Sequence, residues 1–448
     1  MTTSGLITLH VTASAPPPPP PTAGSVTTIG LNTRQSLDPN ANAYQNANYP
    51  LDASWIFPLN LSGWLHLTDY CGAVFCPGYG AQGSYMQYGA AGHSAGGPCI
   101  WVRFDVATRL WSLVGKALPT DSLQNFFLNG QPILSGNPPA TRFDPVWGDW
   151  NGGSTDWPLA QRQPGFNPPE GSHTRASFAY RPPSKAGNVN GQILISWQPT
   201  GANGGTGLLG GFYFDLDTGL WHRTANLRPY PSSLELVYVV NHDIAMGVVM
   251  EGSHWADAVH VLDCPTMTWR IVNVNPYPVA PNTFYALYDS VQFICGGLFV
   301  VVNCSQTAGA NPPVEFWAMP ISQILAGTGM HWTKLNVTAS SWPYVTCTDY
   351  NPALSLVSRV PWVQYSDGNF YAHARAYAPH TLWKLAPPAG NDVTRLTDVW
   401  TITTQTMIGD PIAAANFDYS RTQYCAALDA FLWTGEGPTG VIQVIKPT

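Results

Sequence analysis

One pattern constrains this chain more than any other: an aromatic or leucine residue, aspartate, two residues, threonine, two residues, tryptophan. It occurs as Phe104-Asp105-x-x-Thr108-x-x-Trp111, as Phe214-Asp215-x-x-Thr218-x-x-Trp221 and as Leu262-Asp263-x-x-Thr266-x-x-Trp269. Each copy follows an alternating or apolar run, over 99–104, 211–214 and 258–262. The arrangement is that of a β-hairpin. An outgoing strand ends at Asp, whose carboxylate accepts turn N–H groups. Two residues turn, Thr closes, and Trp packs the returning strand onto a neighbouring sheet. Weaker copies end in Trp332, after Glu315-Phe316-Trp317-Ala318-Met319, and in Trp400, after Thr381-Leu382-Trp383-Lys384-Leu385. Recurrent hairpins of this kind suit four-stranded units of about 40–50 residues arranged radially.

Composition supports an all-β reading. Only 10% of the 448 residues are charged, against roughly 25% in an average domain, while Gly (42) and Pro (41) are abundant. A coiled coil or helical bundle is excluded, and with 45% hydrophobic residues so is general disorder. The expected fold is a six-bladed β-propeller, with five or seven blades as alternatives. Over 424–428, 430–434 and 440–445 the C-terminal end offers three strand-like runs without a fourth. The run Leu61-Ser62-Gly63-Trp64-Leu65-His66-Leu67 reads as a lone returning strand, so the expected closure pairs it with 441–445.

Gly-Gly pairs at Gly96-Gly97, Gly210-Gly211 and Gly296-Gly297, together with the closing tryptophans, resemble the kelch-type β-propellers over about residues 55–448. The resemblance implies an architecture and not an activity. Two domains follow: residues 1–50 as an extended N-terminal arm and 51–448 as the propeller, with an irregular Gly/Pro/Asn-rich insertion at about 117–172. In the arm, Leu6, Ile7 and Leu9 can form a strand, and Pro16, Pro17, Pro18, Pro19, Pro20 and Pro21 form polyproline II. That helix has no internal hydrogen bonds, so a neighbouring subunit is expected to hold the arm.

Partners follow from charge and targeting. With 19 basic against 26 acidic side chains, a phosphate track is not expected, and neither is nucleic-acid binding. No apolar run spans a bilayer, and the N-terminus lacks a basic, apolar leader pattern, so neither membrane insertion nor a secretory signal is expected. The eight cysteines are scattered without a CxxC pair and read as reduced, buried thiols made in a cytosol.

Chemistry is sparse. No nucleophile elbow, phosphate loop or dinucleotide fingerprint occurs. His242, His254 and His260 lie on neighbouring strands but read as ordinary strand or loop histidines, and Arg103, Arg223 and Arg270 as blade-surface cations. Glu251 reads as a rim residue. No cofactor, metal or catalytic residue is expected. The candidates for ligand or interface contact are Trp147, Trp150 and Trp157 beside Asp149 and Asp156, because indole faces stack on sugar rings while carboxylates take hydroxyls. The same groups suit a protein interface or a small core holding a long loop.

The overall profile is similar to that of virion proteins of tailed bacteriophages, which implies a tail, nozzle or fibre component. The expected function is therefore non-enzymatic. The chain would be a virion building block, made in the host cytoplasm and anchored by its arm in a homo-oligomeric assembly, presenting its propeller to another subunit or a host glycan. The alternative is a stand-alone carbohydrate-binding or glycan-cleaving propeller.

Overall fold

The computed structural model describes residues 20–33, 72–89, 100–114, 127–128, 131–132, 143–144, 148–149, 178–197, 210–225, 235–248, 258–273, 284–285, 291–305, 314–328, 330–339, 361–373, 379–413, 421–435 and 440–448. Six four- or five-stranded sheets form the blades of a propeller, as expected. Blade 1 is Ala73–Cys76, Ser84–Gly89, Ile100–Asp105 and Leu110–Val114; blade 2 is Phe178–Arg181, Gln192–Trp197, Gly210–Asp215 and Leu220–Arg223. Blade 3 is Val237–Val239, Ile244–Val248, Ala258–Asp263 and Thr268–Asn273. Blade 4 is Val291–Cys295 with Phe284–Tyr285, then Leu298–Ser305, Val314–Pro320 and Thr333–Lys334. Blade 5 is Val363–Gln364, Phe370–His373, Thr381–Ala386 and Val399–Thr406, and blade 6 is Gln423–Cys425, Ala430–Thr434, Ile442–Lys446 and Ser25–Thr28. First strands of successive blades touch one another at five of the six seams, so strand 1 of each blade is innermost.

The core is divided among the seams between blades. Side chains alternate along a strand, so successive residues face the two neighbouring blades. In blade 2, Ile193 and Ile195 pack toward blade 1 while Leu194 packs toward blade 3. Six such clusters, one per seam, close the ring. The closing tryptophans do what their spacing predicts. Trp111, Trp269, Trp332 and Trp400 are buried, each in the seam with the preceding blade. Burying a side chain of that size stabilises by about 4–6 kcal/mol as an upper bound.

The hairpin turn differs from its sequence reading in length. The main-chain N–H groups of Thr108 and Thr218 donate to Asp105 and Asp215, both at 2.9 Å, and the Thr266 hydroxyl donates to Asp263. Strand pairing resumes only at Leu110, Leu220 and Thr268, however, so four residues turn and not two. The fourth is left-handed: Arg109 (φ 59°), Gly219 (φ 68°) and Met267 (φ 51°). Only one copy uses glycine, which is why the position is invisible in the sequence.

Ring closure by an N-terminal strand is present, but the strand is not the one around Trp64. Ser25–Thr28 pairs antiparallel with Ile442–Lys446, in register Ser25↔Lys446 to Thr28↔Gln443. The other edge of Ile442–Lys446 is taken by Ala430–Thr434, so no edge remains there for residues 61–67, which lie outside the described residues. Part of the expected arm therefore belongs to blade 6. Pro20 and Pro21 lead into this strand, while Leu6, Ile7, Leu9 and Pro16 to Pro19 are outside the described residues.

A second device fastens the perimeter. Fourth strands overrun their own blade and bond to the start of the next blade's fourth strand. Leu31 N–H donates to the carbonyl of Arg109 at 2.9 Å, Ala225 to Met267 at 2.6 Å and Ile408 to Gly24 at 2.8 Å. All three acceptors are the left-handed residue before a fourth strand. The Asn32 side chain extends the 6/1 hook, accepting from Trp111 N–H at 2.6 Å and donating to its carbonyl at 3.0 Å. Between blades 4 and 5 the overrun is a parallel ladder, Asn336–Ala339 against Val399–Ile402.

Candidate functional site

The two faces of the ring are built differently. Strands within each blade are antiparallel, so turns between strands 1 and 2 and between strands 3 and 4 share one face. That turn face is compact and stitched. At the blade 2/3 seam the buried Arg181 guanidinium donates to both oxygens of Asp243 at 2.8 and 2.7 Å and to Gln192 at 3.0 Å, while Tyr238 donates to Asp243 at 2.7 Å. Burial alone would raise the Asp243 pKa; the Arg181 and Tyr238 hydrogen bonds outweigh it and hold the carboxyl below its usual range. At the 5/6 seam Asp429 accepts from Ser366 (2.6 Å), Tyr365 (2.9 Å) and Tyr424 (3.0 Å), and lies 3.3 Å from the Lys446 ammonium. Its pKa falls to about 2, first through the Ser366 hydrogen bond. At the 4/5 seam Asp392 takes the Gly297 N–H at 3.0 Å and pairs with Arg395. These carboxylates are structural staples.

The opposite, loop face receives every connection from strand 2 to strand 3 and from each blade to the next. The described strands that flank 90–99, 115–177, 198–209, 249–257 and 306–313 all end or begin on that face. On this side the apolar seams give way to buried polar groups around the axis. Ser196 and His260 are buried at the 2/3 seam, and Gln87 and Arg421 at the 6/1 seam. At the 5/6 seam the buried His373 ring lies 3.0 Å from the Thr422 hydroxyl and 4.4 Å edge-on to Trp433. Two glutamines splint neighbouring backbones. Gln292 accepts from Val248 N–H at 3.1 Å and donates to its carbonyl at 3.2 Å; Gln423 does the same for Phe75 N–H (3.1 Å) and the Ala73 carbonyl (3.2 Å). Glu235, also buried, lies two residues before the innermost strand of blade 3. Buried polar groups of several kinds are thus distributed over the 2/3, 3/4, 5/6 and 6/1 seams toward the loop-face end.

The expected contact residues fall largely elsewhere. Trp147, Trp150, Trp157 and Asp156 are outside the described residues. Asp149 is placed by its backbone alone, in the two-residue strand Gly148–Asp149 paired with Phe143–Asp144. Among the three histidines, His242 is exposed in a turn, His260 is buried in strand 3 of the same blade, and His254 is not described. No group of metal-ligating side chains occurs among the described residues, and none of their helices is long and apolar enough to cross a membrane. Arg103 lies on the turn face, paired with Asp105 and 4.2 Å over the Tyr79 ring. Glu251 is not described. Sequence reading missed Glu235, Gln292, His373 and Arg421. Their signal was a polar residue at the end of, or just before, an apolar strand, as in Arg421-Thr422 preceding Gln423–Cys425.

No family model and no curated protein is similar to the chain. Solved structures are similar in fold. An α-L-arabinanase from Penicillium chrysogenum, complexed with arabinobiose, is 13% identical with a TM-score of 0.42, covering 95% of this chain and 98% of its own. An α-L-arabinofuranosidase from Fusarium graminearum is 11% identical with a TM-score of 0.40, covering 84% and 92%. An exo-β-1,3-galactanase from Phanerochaete chrysosporium is 9% identical with a TM-score of 0.32, covering 68% and 56%. Two expectations are corrected here. None of these propellers is a kelch or phage-tail protein. All three are glycosidases, so the reading of the chain as non-enzymatic is withdrawn. At these identities the likeness is one of fold alone.

Proposed function

We propose that the chain is a carbohydrate-active propeller that takes a saccharide at the loop-face end of its axis. The observation that carries this reading is the asymmetry of the ring. The turn face uses its carboxylates and cations to fasten seams, whereas the loop-face ends of the strands carry buried hydroxyl, imidazole, amide, carboxylate and guanidinium groups. A polyhydroxylated ligand both donates and accepts hydrogen bonds, and that mixed set matches it better than it matches an anion or an apolar molecule.

The test incubates the full chain with linear arabinan, β-1,3-galactan and xylan. Released oligosaccharides are followed by mass spectrometry, and binding of arabinobiose, galactotriose and xylotriose by calorimetry. Saturable binding or cleavage of at least one polymer is expected. Neither binding nor cleavage of any of them would refute the proposal.

A further inference from the structure

We propose that Asn190 is a site of spontaneous deamidation that the turn face holds shut, with Asp217 as the latch. The chemistry is that of the Asn-Gly dipeptide. The Gly191 amide nitrogen, with no side chain on its own residue to obstruct it, attacks Cγ of Asn190. The bond to Nδ2 breaks, and Nδ2 leaves as ammonia with the proton from Gly191. The succinimide so formed takes up water at one of its two carbonyls and opens to aspartate or isoaspartate. One water is consumed and one ammonia released. The same dipeptide at 129–130, 151–152 and 203–204 lies outside the described residues.

Asn190 and Gly191 lie in the connection between strands 1 and 2 of blade 2, just before Gln192–Trp197, and each requirement of the reaction is blocked there. The nucleophile is occupied, because the Gly191 N–H donates to Oδ1 of Asn188 at 2.8 Å. The leaving group is occupied as well: Nδ2 of Asn190 donates to Oδ1 of Asp217 at 2.6 Å. The main-chain N–H groups of Asn190 and Val189 donate to the same carboxylate, at 2.9 and 2.7 Å. The backbone between them is pinned. The Asn190 carbonyl accepts from the Tyr180 hydroxyl at 2.8 Å, and the Gly191 carbonyl from Leu216 N–H at 3.2 Å and the Asn188 amide at 3.0 Å. Asp217 is itself fixed in the turn between strands 3 and 4, where its N–H donates to Asp215 at 3.0 Å. One carboxylate from the second turn of the blade thus clamps three donors of the first. Attack on Cγ needs this connection to open, so the rate follows the open population. Removing the acceptor of three hydrogen bonds raises that population about ten- to hundredfold. The site lies two residues before the ladder pair Arg181↔Gln192, so isoaspartate would insert a methylene into the main chain beside the 2/3 staple.

The full chain, Asp217→Ala and Asn188→Ala are aged in native buffer at mildly alkaline pH, and the parent chain also in urea. The peptide carrying Asn190 is followed by mass spectrometry for conversion to aspartate and isoaspartate, and thermal melting reports which chains are folded. Asn190 is expected to persist in the folded parent and to convert in urea. In folded Asp217→Ala it is expected to convert about ten- to hundredfold faster than in the folded parent. Asn188→Ala, which frees the Gly191 nitrogen and leaves Asp217 in place, is expected to accelerate conversion too, and it decides the matter if Asp217→Ala does not fold. Conversion in the folded parent at the urea rate overturns the proposal, because the turn then gives no protection; this comparison needs neither variant. A rate within about twofold of the parent in the folded variants also overturns it, because protection then does not come from these bonds.

Discussion

Gly409 offers a direct measurement of the perimeter hook that locks the closing strand. It sits at φ +92°, and a Cβ there would fall within the van der Waals shell of the Val26 carbonyl oxygen, a backbone atom that cannot swing aside. Alanine at this site should therefore expel the overrun. That loses the bond from Ile408 N–H to Gly24 (2.8 Å), the bond from Asp410 N–H to Val26 (3.0 Å) and the Asp410 contacts with Thr28 (3.0 and 2.9 Å). At about 1 kcal/mol per bond the four bonds of the hook are worth about 4 kcal/mol. Left-handed strain adds about 1–2 kcal/mol for a residue with a Cβ. Gly187 isolates the strain, because it has φ +75° and nothing within 4 Å of its added Cβ. Gly187→Ala should cost about 1–2 kcal/mol and Gly409→Ala about 4 kcal/mol more. Urea titration reads the difference as a shift of midpoint at constant slope. Equal costs in the two variants, within about 0.5 kcal/mol, would mean that residues 408–410 do not lie against the closing strand, and the perimeter hook at the 5/6 seam argued above would fall.

Three further outcomes are expected. Arg181→Met should destabilise by about 3–5 kcal/mol, because it leaves a mostly buried Asp243 carboxylate without its cation; a double-mutant cycle with Asp243→Asn should recover part of that loss. Asp429 has a folded-state pKa of about 2, below the unfolded carboxylate value of about 3.9. Its stabilising contribution is thus present above about pH 4 and lost as pH falls toward 2, so the stability gap between the parent chain and Asp429→Asn should close over that window in denaturant titrations. Burial raises the thiols of Cys264 to about 12 and Cys295 to about 11, and also raises those of Cys76 and Cys425. Iodoacetamide at pH 8 should leave these four unlabelled in the folded chain and label them in urea, read by peptide mass spectrometry; rapid labelling when folded would contradict their placement in the seams.

The site was far less legible in the sequence than the scaffold. Trp147, Trp150 and Trp157 attract attention because indoles are rare and clustered, but composition says nothing about which segment reaches the axis. Glu235 and His373 look ordinary in the chain, as single polar residues beside Leu236 and Ala372. They become distinctive only when the ring places their strand ends on one face, away from the staples. Arg181 and Asp243 show the converse: a charged pair that could pass for chemistry is tied into one seam by Gln192 and Tyr238.

The hairpins were readable from the chain because their cause is local: Asp105 caps its own turn three residues on, and Trp111 follows at fixed spacing. From that repeat came the blades, their number, and the need for an N-terminal strand to complete the last one. Which strand fills the gap was a tertiary decision. Trp64 advertises itself by side chain, yet Ser25–Thr28 takes the edge, because an open strand edge selects backbone N–H and C=O groups in the right register and is nearly blind to what the side chains are. The same holds for the hooks onto Arg109, Met267 and Gly24. Main-chain bonds between segments distant in sequence leave no pattern in the residues that make them.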